Sequence, residues 1–128
     1  MKKVFLLLVC ALFTLTSFSQ EFKKVQRMTV ISYDEQKGDW VDDRTTYPQT
    51  LYVKIKGSEI IITSDYQQRI YTYGNVEENN YTTHVTYTWS ALDKDDKPCK
   101  FIMKHFKTGE IIYMFIYNGV GVEYLMEN

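Results

Sequence analysis

The stretch Tyr81-Thr82-Thr83-His84-Val85-Thr86-Tyr87-Thr88-Trp89-Ser90-Ala91 decides the fold class. Tyr81, Thr83, Val85, Tyr87, Trp89 and Ala91 fall on one side of an extended chain, and Thr82, His84, Thr86, Thr88 and Ser90 on the other. Period two in β-branched and aromatic residues marks a half-buried strand. A helix, with its period of about 3.6, would scatter the same residues around its axis.

The pattern continues toward the C-terminus. Asp93-Lys94-Asp95-Asp96-Lys97 reads as a charged loop ended by Pro98, and a strand follows over 99–106. Lys107-Thr108-Gly109-Glu110 reads as a tight turn with Lys107 opposite Glu110. That register sets His105 against Ile112, Met103 against Met114 and Phe101 against Ile116, on the face that carries Cys99. It sends Phe106, Ile102, Ile111, Tyr113, Phe115 and Tyr117 to the opposite face, among Lys100 and Lys104. The strand over 110–117 is therefore apolar on both sides. This fits a central strand covered on both faces, or a patch that meets a partner. Asn118-Gly119 is a strong hairpin signal, and a last strand runs over 120–126.

Toward the N-terminus, 25–33 reads as a strand with Met28 and Val30 on one face and Thr29 and Ile31 on the other. A turn over 34–38 leads to a weak strand over 40–47, whose Asp42, Asp43 and Arg44 suit a sheet edge. Pro48 marks its limit. Segment 50–56 alternates, Gly57-Ser58 makes a two-residue loop, and 59–63 returns with Ile60 and Ile62 opposite Ile55 and Val53. A Tyr-rich strand over 66–73 precedes a polar loop over 74–80. Eight or nine short strands joined by hairpin-length connections predict an all-β antiparallel meander, closed or curled into a small barrel. A β-sandwich is the alternative and would need a long crossing connection. A barrel of about eight strands is either filled by its side chains or holds one small ligand.

Residues 1–19 read as a secretory signal peptide. Met1-Lys2-Lys3 is basic, 4–15 is apolar, and Ser17 and Ser19 are small residues ahead of Gln20. The apolar run is too short for a stable membrane anchor. Residues 20–128 then form a single all-β domain with no integral membrane segment, exported to the periplasm or the exterior. Losing Lys2 and Lys3 leaves 13 basic against 16 acidic residues, a net charge of −3. That balance argues against nucleic acid, which calls for a basic face. Cys10 departs with the signal, so Cys99 has no intrachain disulfide partner and is expected in the core beside Phe101 and Met103.

Little in the chain points to catalysis. The 93–97 loop has alternating Asp, but Pro98 and Lys104 stand where a calcium loop needs Gly and an acidic ligand. Glu35, Asp39, Asp42 and Asp43 form an acidic cluster, and glycosidase work would need two carboxylates at a set separation. His84 and His105 have no partner at metal-ligand spacing. No phosphate loop, dinucleotide fingerprint or nucleophile elbow occurs. The expectation is a non-catalytic domain with no cofactor and no metal. A hydrolase using the acidic loops is the remote alternative.

The aromatic load is the main functional signal: 11 Tyr, 7 Phe and 2 Trp. Tyr and Trp combine apolar area with a polar tip. Trp40, Tyr87, Trp89, Tyr113, Phe115 and Tyr124 are the candidate ligand-binding residues. The ligand expected is a small apolar molecule inside the barrel or a glycan on the aromatic surface. The alternative is a protein partner or homodimer meeting a patch of Ile102, Phe106, Phe115 and Tyr124.

The basic start, the Ser17-Phe18-Ser19-Gln20 junction and the Tyr/Asn-rich body resemble small exported proteins of Bacteroidota. The meander is similar to lipocalin-like and other calycin-type barrels, which implies a ligand-holding barrel. Gly38-Asp39-Trp40 has the lipocalin Gly-x-Trp spacing, but it follows the first strand rather than opening it. The resemblance therefore assigns no functional residue.

Overall fold

The computed structural model describes residues 22–127, so the signal peptide expected over 1–19 lies outside the described residues. Nine strands follow one another: β1 Phe22–Asp34, β2 Asp39–Thr46, β3 Tyr52–Lys56, β4 Glu59–Thr63, β5 Gln67–Asn80, β6 His84–Asp93, β7 Pro98–Phe106, β8 Ile111–Ile116 and β9 Val120–Met126. In the sheet order β2-β1-β3-β4-β5-β6-β7-β8-β9 each pairs antiparallel with its neighbours, and β9 returns to pair with β1. Eight strands thus close into a barrel, and β2 is an extra strand on the edge of β1. The meander expected from hairpin-length connections is present, and the sandwich alternative is not adopted. No helix of the described residues is long and apolar enough to cross a membrane.

β1 is long enough to serve three partners. One edge carries the β9 ladder from Val25↔Met126 to Ser32↔Val120. The other edge carries β3 against Phe22, Lys23 and Lys24, then β2 against Met28 to Asp34. A bulge between Val25 and Arg27 inserts one residue. It resets the alternation, so that Val25 and Met28 both reach the barrel core.

The β3–β4 hairpin has the expected register, with Ile55 opposite Ile60 and Val53 opposite Ile62. The Asn118-Gly119 turn is also as expected: Tyr117 N–H donates to the Val120 carbonyl at 2.8 Å, and Gly119 sits at φ 77°. The charged β2 occupies the sheet edge. Cys99 is buried in the core cluster with Phe101.

Two expectations are corrected. The β7–β8 turn has three loop residues, not two. Phe106 N–H donates to the Glu110 carbonyl at 2.9 Å, and Gly109 N–H donates to the Phe106 carbonyl at 3.0 Å. With Gly109 at φ 98°, this is the type I turn with a glycine bulge that a three-residue loop favours. Glu110 therefore faces Phe106 rather than Lys107, and the whole of β8 shifts by one residue. A one-residue shift exchanges the faces of a strand. Phe115 now stands opposite Phe101, Tyr113 opposite Met103 and Ile111 opposite His105. Ile112, Met114 and Ile116 turn to the outer face, opposite Lys104, Ile102 and Lys100. Strand β8 is indeed covered on both faces, since Met114 is only 7% exposed although it points outward.

The second correction concerns 74–80, expected as a loop. β5 runs on to Asn80 because the long β6 offers it a ladder, pairing Glu77 to Asn80 with Thr88 to Val85. The break is a bulge between Tyr73 and Glu77, with Gly74 at φ 75°. Long-range pairing overrides the poor strand propensity of this polar segment.

The barrel interior is filled. Trp89 stacks on Phe101 at 5.3 Å between ring centroids, Phe101 on Phe115 at 5.1 Å, and Phe115 meets Tyr124 at 5.6 Å. Aliphatic side chains of β3, β4 and β5 (Val53, Ile60, Ile62 and Ile70) complete the core. On the outside, Gly121 lies between Ile31 of β1 and Ile116 of β8. A Cβ at this position would stand 2.7 Å from Ile116 Cδ1 and 2.9 Å from the Phe115 carbonyl oxygen. Gly121→Ala is expected to destabilise the fold by about 1–3 kcal/mol, the range for overpacking a tight contact. A lowered urea midpoint with unchanged slope would show this, and an unchanged midpoint would refute the packing role of Gly121.

Candidate functional site

The site arises where the second edge of β1 changes partner. β3 leaves β1 above Lys24, with Val25 N–H donating to the Leu51 carbonyl at 2.8 Å as the last bond. β2 takes over from Met28. The chain between them, Tyr47 to Leu51, arches away from the wall, and the β4–β5 turn at Ser64 to Tyr66 stands beside the arch. A cleft of about 280 Å³ opens between these segments. Its apolar wall is Met28, Leu51 and Ile62, its polar wall Gln49, Thr50, Ser64, Asp65 and Gln68, and its aromatic members are Tyr66 and Tyr124.

Tyr66 is 65% exposed yet held in place. Its carbonyl accepts the Ser64 N–H at 3.1 Å, and Gln68 Nε2 donates to its hydroxyl at 3.3 Å. Tyr124 is buried on the interior face of β9, and its phenol reaches the cleft from the core. Burial, with a smaller contribution from the neighbouring Tyr66, pushes the Tyr124 hydroxyl up to about 12. It stays protonated, and so able to donate, at any ordinary pH.

Five of the six aromatic residues singled out from the sequence come together inside the barrel. Tyr87 stacks on Trp89 at 6.3 Å, and Tyr113, Phe115 and Tyr124 join the same string through Phe101. Tyr113, Phe115 and Tyr124 are buried in the core, Trp89 packs half-buried against it, Tyr87 is half-buried beside Trp89, and of the five Tyr124 lines the cleft. Trp40 lies apart on β2, edge-on to Tyr33 at 5.6 Å. The patch of Ile102, Phe106, Phe115 and Tyr124 does not form, because the register shift puts Phe115 inside with Tyr124 while Ile102 and Phe106 stay outside. Tyr66 was missed as a site residue because it reads as the first residue of a Tyr-rich strand. The available signal is an aromatic residue inside a polar turn, Ser64-Asp65-Tyr66.

A second polar group sits at the same end of the barrel. The Asp93 carboxylate accepts the N–H groups of Lys97 and Asp95, each at 2.9 Å, and the Tyr117 hydroxyl at 3.2 Å. The loop that resembles a calcium loop thus uses Asp93 to close its own backbone. Among the described residues no group of three or more His, Cys, Asp or Glu side chains is placed to hold a metal ion. Burial, opposed by the neighbouring Tyr117 hydroxyl and reinforced by Asp93, keeps the Cys99 thiol above the ordinary range. His105 lies at the other end of β7, against Tyr87, so it forms no pair with Cys99.

The chain matches no protein-family model, and no curated protein or solved structure is significantly similar to it.

The raised Cys99 thiol sets one expectation. Native protein is expected to modify at Cys99 more slowly than unfolded protein, since burial shields the thiol and disfavours the thiolate. Thiol labelling followed by peptide mass mapping measures this, and equal rates would refute it. Asp93 sets another. The Lys97 N–H holds its carboxyl below the ordinary value, so its contribution is present above the unfolded pKa of about 4 and is lost as pH falls through the folded value. Asp93→Asn is expected to lower the urea midpoint at neutral pH, with the difference from wild type closing below about pH 4. A difference independent of pH would show that the charge of Asp93 is not what matters.

Proposed function

We propose that this chain is an exported, non-catalytic barrel domain that binds a small ligand in the cleft between the β2–β3 arch and the β4–β5 turn. The observation that carries the reading is the filled interior. Phe101 and Phe115 occupy the middle of the barrel as almost fully buried rings. A ligand cannot lie along the axis, so binding moves to the rim, where wall and turn separate. The cleft is concave, joins apolar and polar walls, and holds an exposed aromatic ring in place, the mixture small-molecule sites use. Support for a non-catalytic role comes from the same lining, in which Asp65 is the single carboxylate and no His or Cys takes part. General acid–base work on a glycoside would need a second carboxyl group. Export remains the reading of the N-terminal sequence, with action in the periplasm or outside the cell.

The reading is tested by amide NMR on isotope-labelled protein titrated with two neutral probe sets, methyl glycosides and the apolar pair indole and hexanol. At least one set is expected to shift the amides of 49–51 and 64–68, and Tyr66→Ala is expected to abolish the shifts. Failure of both sets to move those amides would overturn the proposal. Shifts confined to Ile102, Ile112 and Ile116 would overturn it in favour of a protein-contact face.

A further inference from the structure

We infer that the ligand of this cleft is a neutral carbohydrate whose pyranose ring stacks on Tyr66 while its hydroxyl groups meet the polar wall. The inference rests on the cleft being the binding site, as proposed above.

Charge makes the first selection. No Lys, Arg or His lines the cleft, and Asp65 does. A phosphate, sulfate or fatty-acid carboxylate would find no counter-charge there and would be repelled by Asp65. The ligand is therefore not an anion.

Wall chemistry makes the second. A purely apolar ligand would displace water from Gln49, Thr50 and Asp65 and give them no hydrogen bond in return, which opposes binding. A sugar presents hydroxyl groups, each both donor and acceptor, along its edge, and C–H groups on its faces. It satisfies amide, hydroxyl and carboxylate groups on one wall while its apolar face covers an aromatic ring.

The state of Tyr66 makes the third. Its ring is exposed while the Ser64 N–H holds its backbone and Gln68 donates to its hydroxyl, so less freedom is lost when a ligand stacks on it. An aliphatic ligand would instead favour a closed apolar pocket. The Tyr124 phenol, protonated throughout the physiological range, supplies one more donor from below.

Size makes the last. At about 280 Å³ the cleft is at the small end of ligand sites, which run about 300–1,000 Å³. It takes one ring.

The test compares methyl glycosides of glucose, galactose, mannose and N-acetylglucosamine with indole and hexanol, by amide shifts at 64–68. At least one glycoside is expected to bind saturably at millimolar concentration, while indole and hexanol leave these amides unmoved. Tyr66→Ala is expected to weaken glycoside binding at least tenfold and Tyr66→Trp to retain it, because the ring and not the hydroxyl carries the stacking. Both variants change an exposed side chain, so the fold survives them, as an otherwise unchanged amide spectrum will confirm. Binding of indole or hexanol without any glycoside overturns the carbohydrate inference and leaves the cleft reading standing. Binding of neither set overturns both. Equal loss of glycoside binding in Tyr66→Ala and Tyr66→Trp overturns the stacking role.

Discussion

The structure depends on the two edges of β1. A strand has two rows of hydrogen-bonding groups, and leaving either unpaired in a small sheet invites other chains to add to it. β1 gives one row to β9, which closes the barrel, and divides the other between β3 and β2. The division follows from lengths. β1 has 13 residues and β3 has 5, so β3 covers only its start. The remaining edge needs a second partner, and β2 supplies it directly through the turn after Asp34. The outer side of β2 carries no further strand among the described residues, and it holds Asp42, Asp43 and Arg44. Closing the barrel and opening the cleft are consequences of the same accounting of β1's hydrogen bonds.

Within that frame, loop lengths choose which side chains go inside. Adding one loop residue at Gly109 turns Tyr113 and Phe115 inward and Met114 outward. The aromatic string from Tyr87 to Tyr124 exists because of that residue. Large rings fill an eight-stranded barrel with few voids, which the small width of such barrels permits. Gly121 answers the opposite need. On the outer face, the Ile116 side chain occupies the space a Cβ at Gly121 would take, between Ile116 and Ile31 on the neighbouring strands. Ile31 is 1% exposed although it points away from the barrel interior.

These features differ in how far the sequence alone reveals them. Local ones are legible. Gly57-Ser58 and Asn118-Gly119 fix two-residue loops, and the residues around them then pair as their alternation demands. The inward face of β6, with Val85, Tyr87, Trp89 and Ala91, follows from period two alone. Features that depend on distant partners are not legible. Lys107-Thr108-Gly109-Glu110 is compatible with two-residue and three-residue turns, and nothing within the four residues chooses between them. The extra length of β5 comes from the pairing of Glu77 to Asn80 with Thr88 to Val85, which the polar composition of 74–80 does not reveal. The cleft is the extreme case: its lining comes from β1, the β2–β3 arch, the ends of β4 and β5 and the middle of β9. Aromatic residues picked for their chemistry fell mostly in the core, because ring size suits both core filling and ligand contact. Tyr66 differs from them in position, not in type.

The separation of core from cleft explains how such a barrel can carry a site at low thermodynamic risk. The rings that hold the fold, Phe101 and Phe115, do not line the cleft, whereas the cleft draws most of its polar groups from two connections. Connections tolerate change far better than packed strands. Leu51, Ile62 and Tyr124 belong to both, and Tyr124 packs against Phe115 on one side while its phenol lines the cleft. Its ring is held by the core, so the one donor that enters the cleft from below is also its least mobile. A site built this way has a fixed floor and a variable rim. Alterations in the arch or the β4–β5 turn would then reshape what is bound, while the hydrogen bonds along β1 keep the mouth in place.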